Sequence, residues 1–311
     1  MSTPHELILH HYPATPFGEK VRLMLGFKQL PWRSVTIPVV MPKPDVVALT
    51  GGYRKTPLLQ VGADIYCDTA LIARVLEQRA PAPTLYPAES AGQASLIAQW
   101  ADSTLFWTAV PHTMQPAGIA AIFAGAPPEL IQTLMADRGA MTAGMHWPAV
   151  HDATAQLRNH LGWIEQRLAD GRPFLGGSAA SIADFSVAHC IWFIRSAPPV
   201  ADILEAYPQL LAWHARVLAF GHGSHQDLSS TEALAIAGAA TERAPVHVVP
   251  GLGFEAGEHV TVAATDYGSD PVTGRLVGLT NDSVTVSRQD ERAGRVHVHF
   301  PRLGFKTARV A

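Results

Sequence analysis

The rhythm of apolar and polar positions changes twice along the chain. It divides the sequence into an α/β part, a helical part and a strand-rich part. In the first part, ELILHH (Glu6–His11) predicts a strand, and Val21, Met24 and Leu25 within Gly18–Phe27 share one helical face. The β-branched stretch Trp32–Val40 predicts a second strand, which Pro42 and Pro44 end, and Asp45–Leu49 suits a short helix. Pro57–Val61 and Asp64–Cys67 predict two strands with Gly62 and Ala63 as a hairpin turn, and Thr69–Glu77 is helical again. The order β-α-β-α-β-β-α predicts a mixed α/β layer over residues 1–80.

The proline-rich APAPTLYP at 80–87 predicts a linker. Over 88–222 the spacing is helical, with windows at Gly92–Val110, Glu129–Ala143, Val150–Ala169, Ile182–Arg195 and Leu210–Phe220. Residues 223–244 connect onward through a helix at Thr231–Thr241, capped by Ser229 or Ser230. From Pro245 the period falls to two. VHVVP, HVTVAATD, GRLVGL, SVTVSR and RVHVHF predict five short strands, and residues 245–311 suit a small SH3-like β-barrel.

Composition narrows the functional classes. The 311 residues are 48% hydrophobic and 16% charged, which describes a chain with a substantial core. A net charge of -3 gives no footprint for nucleic acid, and residues 245–311 balance seven basic against seven acidic side chains. No apolar run approaches the roughly 20 residues of a membrane-spanning helix. MSTPHE does not read as a secretory signal, and two cysteines, Cys67 and Cys190, make no disulfide framework. The expectation is a cytoplasmic protein with no membrane and no nucleic-acid partner.

Three stretches carry candidate chemistry. In RKTPLLQ, Thr56-Pro57 opens a strand, where proline is tolerated at an edge or first position; a cis bond there would turn the Thr56 backbone toward an extended ligand. In YCDTALIARVLE, Asp68 and Thr69 precede a helix; they serve either as an N-cap or as a reader of a group carrying both charges. In FLGGSAASIADFSVAH, Ser181 and Asp184 have capping-box spacing, a structural role. His297 and His299 alternate on one strand face; two ligands are too few for a metal site, and no metal is expected.

With TPFGEKVRLML, these motifs in this order resemble the cytosolic glutathione transferase superfamily over about Glu6–His222. The resemblance implies a multi-domain protein: a thioredoxin-like N-terminal domain, an all-α C-terminal domain and the β-barrel as an addition. It implies reduced glutathione as co-substrate, a small electrophile or peroxide as partner, a homodimer, and a transferase that activates the glutathione thiol; two alternatives stay open, a non-catalytic binding or stress-response protein on the same fold and an interaction protein whose β-barrel recruits a partner. Thr15 takes the activating position, with Tyr12 as the alternative hydroxyl; threonine departs from the family's usual serine, tyrosine or cysteine, and its extra methyl stiffens χ1. Lys43, Lys55, Thr56, Pro57, Asp68 and Thr69 are the implied glutathione contacts. Trp100, Phe106, Trp107 and His112 are the implied electrophile pocket, although aromatics at that spacing also suit a helical core.

Overall fold

Alternation along the first strands decides how the molecule is layered. In the computed structural model, which describes residues 6–310, β1 (Ile8–His11) pairs in parallel with β2 (Trp32–Thr36) and antiparallel with β3 (Leu58–Val61), and β3 pairs antiparallel with β4 (Asp64–Cys67). Leu7, Leu9, Leu59 and Val61 point to one face, onto α1 (Pro16–Phe27) and α3 (Thr69–Arg79). Ile8, Leu58, Ile65 and Cys67 point to the other, beside α2 (Pro44–Thr50). The two-residue strand period thus sends alternate side chains into two separate cores. The first core continues into the helical domain.

That domain holds α4 (Ala91–Trp100), α5 (Phe106–Thr113), α6 (Pro116–Ile122), α7 (Pro128–Met141), α8 (Val150–Leu168), α9 (Ile182–Arg195) and α10 (Pro208–Leu218). A π-helical turn at Ala101–Leu105 joins α4 to α5 inside the single expected window. The N–H and hydroxyl of Ser181 both donate to Asp184, whose carboxylate also accepts from Leu175 N–H and Trp213 Nε1. The capping box therefore anchors a buried helix, as the spacing predicted. Ser229 and Glu232 form a second box at α11 (Ser230–Ala239).

The strand-rich region differs from a free-standing barrel. β6 (His259–Ala264), β7 (Val272–Leu279), β8 (Ser283–Asp290), β9 (Gly294–Pro301) and β10 (Phe305–Arg309) form an antiparallel run in the order β10-β6-β7-β8-β9. β9 then pairs in parallel with β4, Asp64 opposite His297 and Tyr66 opposite His299. At the far side β5 (His225–Asp227) pairs with β2. One sheet of ten strands results. The second core is shared: Ile65, Cys67, Val296, Val298 and Phe300 bury together under α2 and α11. Expected VHVVP makes only an isolated bridge at Val248, and the fifth strand is instead Phe305–Arg309. Residues 1–5 of the expected first domain, and residue 311 of the last, lie outside the described residues.

A shared core predicts shared unfolding. Phe300, fully buried beside Tyr53 and Phe305, should cost about 3–4 kcal/mol when changed to Ala. Urea denaturation followed by both near- and far-ultraviolet circular dichroism should show one transition at a lower midpoint. Two resolved transitions would mean that the β region folds on its own.

Candidate functional site

The opening TPFG turn is built around its threonine. Pro16 occupies the first turn of α1, where its missing N–H costs nothing. A Cβ on Gly18 would lie 2.3 Å from the Thr15 γ-methyl, so glycine is what makes room for the threonine side chain. Thr15 is only 3% exposed and its side chain makes no helix-cap hydrogen bond. The preceding loop is held by Arg22, which donates to Glu19 at 2.6 Å and to the Pro13 carbonyl at 2.9 Å, and meets His11 Nδ1 at 3.0 Å. His10 and His11 are both buried, the first against Gln60 and the second against Ser34 and Arg22. Burial pushes their pKa values down to about 4 and about 3, with Arg22 adding to the second. Both imidazoles are therefore neutral at pH 7.

A cavity of about 330 Å³ lies between the domains and gathers part of the expected set: Lys55, Thr56, Pro57, Asp68 and Thr69. The Thr56–Pro57 peptide is cis. Asp68 has φ +78 and caps α3, its carboxylate accepting from Ala70 N–H at 2.9 Å. Burial raises the Asp68 carboxyl pKa, opposed by that hydrogen bond and by Lys20. The first turn of α3 supplies positive potential at the same wall, where the exposed Arg74 pairs loosely with Asp282 at 3.7 Å.

The helical domain supplies Gln99, Asp102 and Ser103. These lie at helical spacing with Phe106, which packs on the cavity residue Phe17 at 4.7 Å. Asp102 is the centre of a network that the sequence reading missed. It accepts from the fully buried Lys20 Nζ at 2.6 Å and meets His189 Nε2 at 3.1 Å, while Lys20 also donates to Thr69 Oγ1 at 3.1 Å. Burial opposes the Asp102 charge, but Lys20 and His189 outweigh it and hold the carboxyl below its usual range. The π-helical turn carries Asp102, at the kind of helix irregularity that often accompanies functional positions.

The roof comes from the strand-rich region. The β6–β7 turn brings Asp266 and Tyr267, the β9–β10 turn brings Leu303, and the start of β10 brings Phe305. Asp266 accepts from Lys55 Nζ at 2.6 Å, and the same ammonium sits 3.9 Å from the Tyr267 ring centre. Tyr267 packs edge-on against Trp107, 4.7 Å between centroids. Gly268 N–H donates to the Met141 carbonyl at 2.8 Å; a Cβ there would meet the Met141 methyl at 2.7 Å, and the residue has φ +51. Arg54 joins α7 to this turn through Asp137 at 2.9 Å and Asp270 at 3.1 Å.

Several expected residues stand outside the cavity lining. Thr15 and Tyr12 are among them, and the Tyr12 hydroxyl accepts from Arg138 at 3.2 Å. Lys43 is buried and donates to the Arg54 carbonyl and to Thr56 Oγ1 at 3.4 and 3.5 Å. Burial, with repulsion from Arg138, pushes its pKa down from 10.5 to about 8, against the pull of Asp137. Trp100 turns to His160, Trp107 is covered by Tyr267, and Phe106 lies behind Phe17. His112 is a satisfied core histidine, between Thr154 Oγ1 and the Val200 carbonyl. Cys67 and Cys190 are fully buried, and burial raises both thiols well above their usual range, so neither is a nucleophile at neutral pH.

Comparison with known proteins agrees with this layout. Residues 9–84 match the model of the glutathione S-transferase N-terminal domain, and residues 147–216 that of the C-terminal domain. A GST-like protein from Pseudomonas syringae is 45% identical, with a TM-score of 0.81, over 98% of this chain and all of its own. The strand-rich region is therefore common to both. A glutathione S-transferase from Rhodospirillum rubrum shares the fold at 21% identity and a TM-score of 0.52, over 68% of this chain and 88% of its own. FtsZ-localized protein A of Caulobacter vibrioides is 28% identical over 189 residues, 59% of this chain and 75% of that protein. The chain belongs to the glutathione transferase superfamily.

Two substitutions test the electrostatics. Asp102→Asn strands the buried Lys20 charge and should destabilise the protein by about 3 kcal/mol in urea titrations at pH 7. Lys43 has a folded pKa below its unfolded one, so its charge costs stability below pH 8, and that cost is relieved as pH rises from about 8 to 10.5. Lys43→Met should be the more stable protein at pH 7, and its stability should lack that alkaline rise.

Proposed function

We propose that this protein is a binding member of the glutathione transferase fold. Its cavity takes the α-amino acid end of a γ-glutamyl peptide such as reduced glutathione, and it does not conjugate that thiol to an electrophile. One observation carries the reading: the cavity keeps one half of the inherited machinery and spends the other half internally. Asp68 and Asp102 face it with carboxyl groups, the second already answered by Lys20, and the α3 N-terminus offers the complementary positive side, with Arg74 beside it loosely paired to Asp282 at 3.7 Å. That pairing suits an ammonium and a carboxylate on one carbon. The other half is engaged elsewhere, since Lys55 is held by Asp266, Trp107 is covered by Tyr267, and Thr15 does not border the cavity. A thiolate needs a hydrogen-bond donor or positive group beside its sulfur, and that wall has been given to the chain's own turn.

We also read β6–β10 as an SH3-like barrel left open on one side: β6 lies between β10 and β7, while β9 pairs with β4. A homodimer and a cytoplasmic location remain part of the proposal, the first testable by sedimentation equilibrium. A second reading rests on the 28% identity to FtsZ-localized protein A. On that reading the folded surface docks an FtsZ-type protein, and a pull-down with purified FtsZ tests it.

Calorimetric titration with reduced glutathione should show binding to the wild type, and Asp68→Asn should weaken it at least ~10-fold. Turnover of 1-chloro-2,4-dinitrobenzene with glutathione should stay at the background rate in the wild type and in Thr15→Ala. Conjugation above background that Thr15→Ala abolishes would restore the transferase reading. Absence of glutathione binding would remove the proposed ligand and leave docking to FtsZ to be tested.

A further inference from the structure

We propose that Asp64, His297 and His299 form a binding site for a divalent transition-metal ion of the zinc type, at the seam where the strand-rich region joins the thioredoxin-like sheet. The sequence offers only the histidine pair. The fold adds the third donor, because the β4–β9 register sets Asp64 opposite His297 and Tyr66 opposite His299. One ligand atom from each of the three residues falls within 4.8 Å of the others.

The distances suit a small tetrahedral ion. His299 Nε2 lies 2.7 Å and His297 Nδ1 3.9 Å from the same oxygen, Asp64 Oδ1. Zinc bonds of about 2.0–2.1 Å place tetrahedral ligand atoms roughly 3.3 Å apart, between those two separations. Side-chain adjustment, closing the His297 separation and opening the His299 one, would bring all three onto one ion. His297 Nδ1 is buried and has no hydrogen-bond partner, a costly state for an imidazole nitrogen that a metal bond would relieve.

The surroundings orient the ligands as metal sites do. His299 Nδ1 is 3.0 Å from Thr285 Oγ1, and the Tyr66 ring stacks on the imidazole at 4.5 Å. The threonine hydroxyl can donate or accept, so the histidine proton can move from Nε2 to Nδ1 when a metal takes Nε2. Ala244 N–H occupies Asp64 Oδ2 at 2.7 Å, leaving Oδ1 as the ligand oxygen. His297 borders a shallow surface groove with Ser287, which gives an ion a way in, although Arg275, Arg288 and Arg295 line the same groove. Two imidazoles and one carboxylate favour zinc, cobalt or nickel over magnesium or calcium. A single carboxylate with Arg243 and Arg295 nearby argues for moderate affinity. The metal's work here is to pin β9 to β4, and none of its three ligands lines the cavity.

The experiment uses the full chain, stripped with EDTA and dialysed. Zinc chloride titrated by calorimetry should bind at one equivalent and raise the melting temperature. Cobalt(II) should give the intense visible bands of a four-coordinate site, and magnesium chloride should do neither. His297→Ala, checked for an unchanged metal-free melting curve, should weaken zinc binding at least ~10-fold and abolish the stabilisation. His297→Gln serves if the alanine variant does not fold. No stoichiometric uptake of zinc or cobalt would refute the site, and so would uptake that survives both His297 variants, because another of the 15 histidines would then hold the ion.

Discussion

The parallel pairing of β4 with β9 is the constraint from which the rest follows. It is a short ladder, three residue pairs from Asp64 to Tyr66, yet it fuses two sheets into one. Buried backbone groups must find partners, and at the β4 edge they find them in the chain's own C-terminal strands. Once β9 is fixed, the turns after β6 and β9 hang over the inter-domain cavity. Lys55 is then neutralised by Asp266, and Trp107 is covered by Tyr267. The chemistry left to the cavity is set by a strand register.

A second constraint works beneath that roof. Lys20 is a cation with no exposed surface, held by Asp102 from the helical domain and Thr69 from the first domain. Buried charges persist only when paired and hydrogen-bonded, so this lysine ties the relative placement of the two domains to a few polar atoms. Asp102 both answers Lys20 and faces the cavity. A ligand ammonium arriving there would meet a carboxylate already stabilised in its charged form.

The fold was largely legible because two rhythms carried it. Period two in β1 and β3 predicted strands, and TPFG, Thr56-Pro57 and Asp68-Thr69 stood at the spacing of a known superfamily. Local patterns failed where pairing is non-local. VHVVP alternates as a strand should but finds no ladder, whereas Phe305–Arg309, polar and exposed at an edge, does. Asp102 shares a helical phase with Phe106, while Trp100 and Trp107 mark the neighbouring phase, which faces away from the cavity lining. Nothing local announces that Lys20 is buried, that Tyr267 reaches Trp107, or that Asp64 meets two histidines. The first depends on the docking of the helical domain, and the other two on a register between strands more than 200 residues apart.

Both edges of the first four-stranded sheet are completed late. β2 waits for His225–Asp227, and β4 waits for Gly294–Pro301. A ribosome adding ~5–20 residues per second needs roughly ten seconds or more to travel from Cys67 to β9. Through that interval the nascent sheet offers an unpaired strand edge and an uncovered apolar face bearing Ile65 and Cys67. Synthesis, more than the finished state, is thus when this protein is most exposed to mispairing, and its production should depend on chaperones that shield nascent strands.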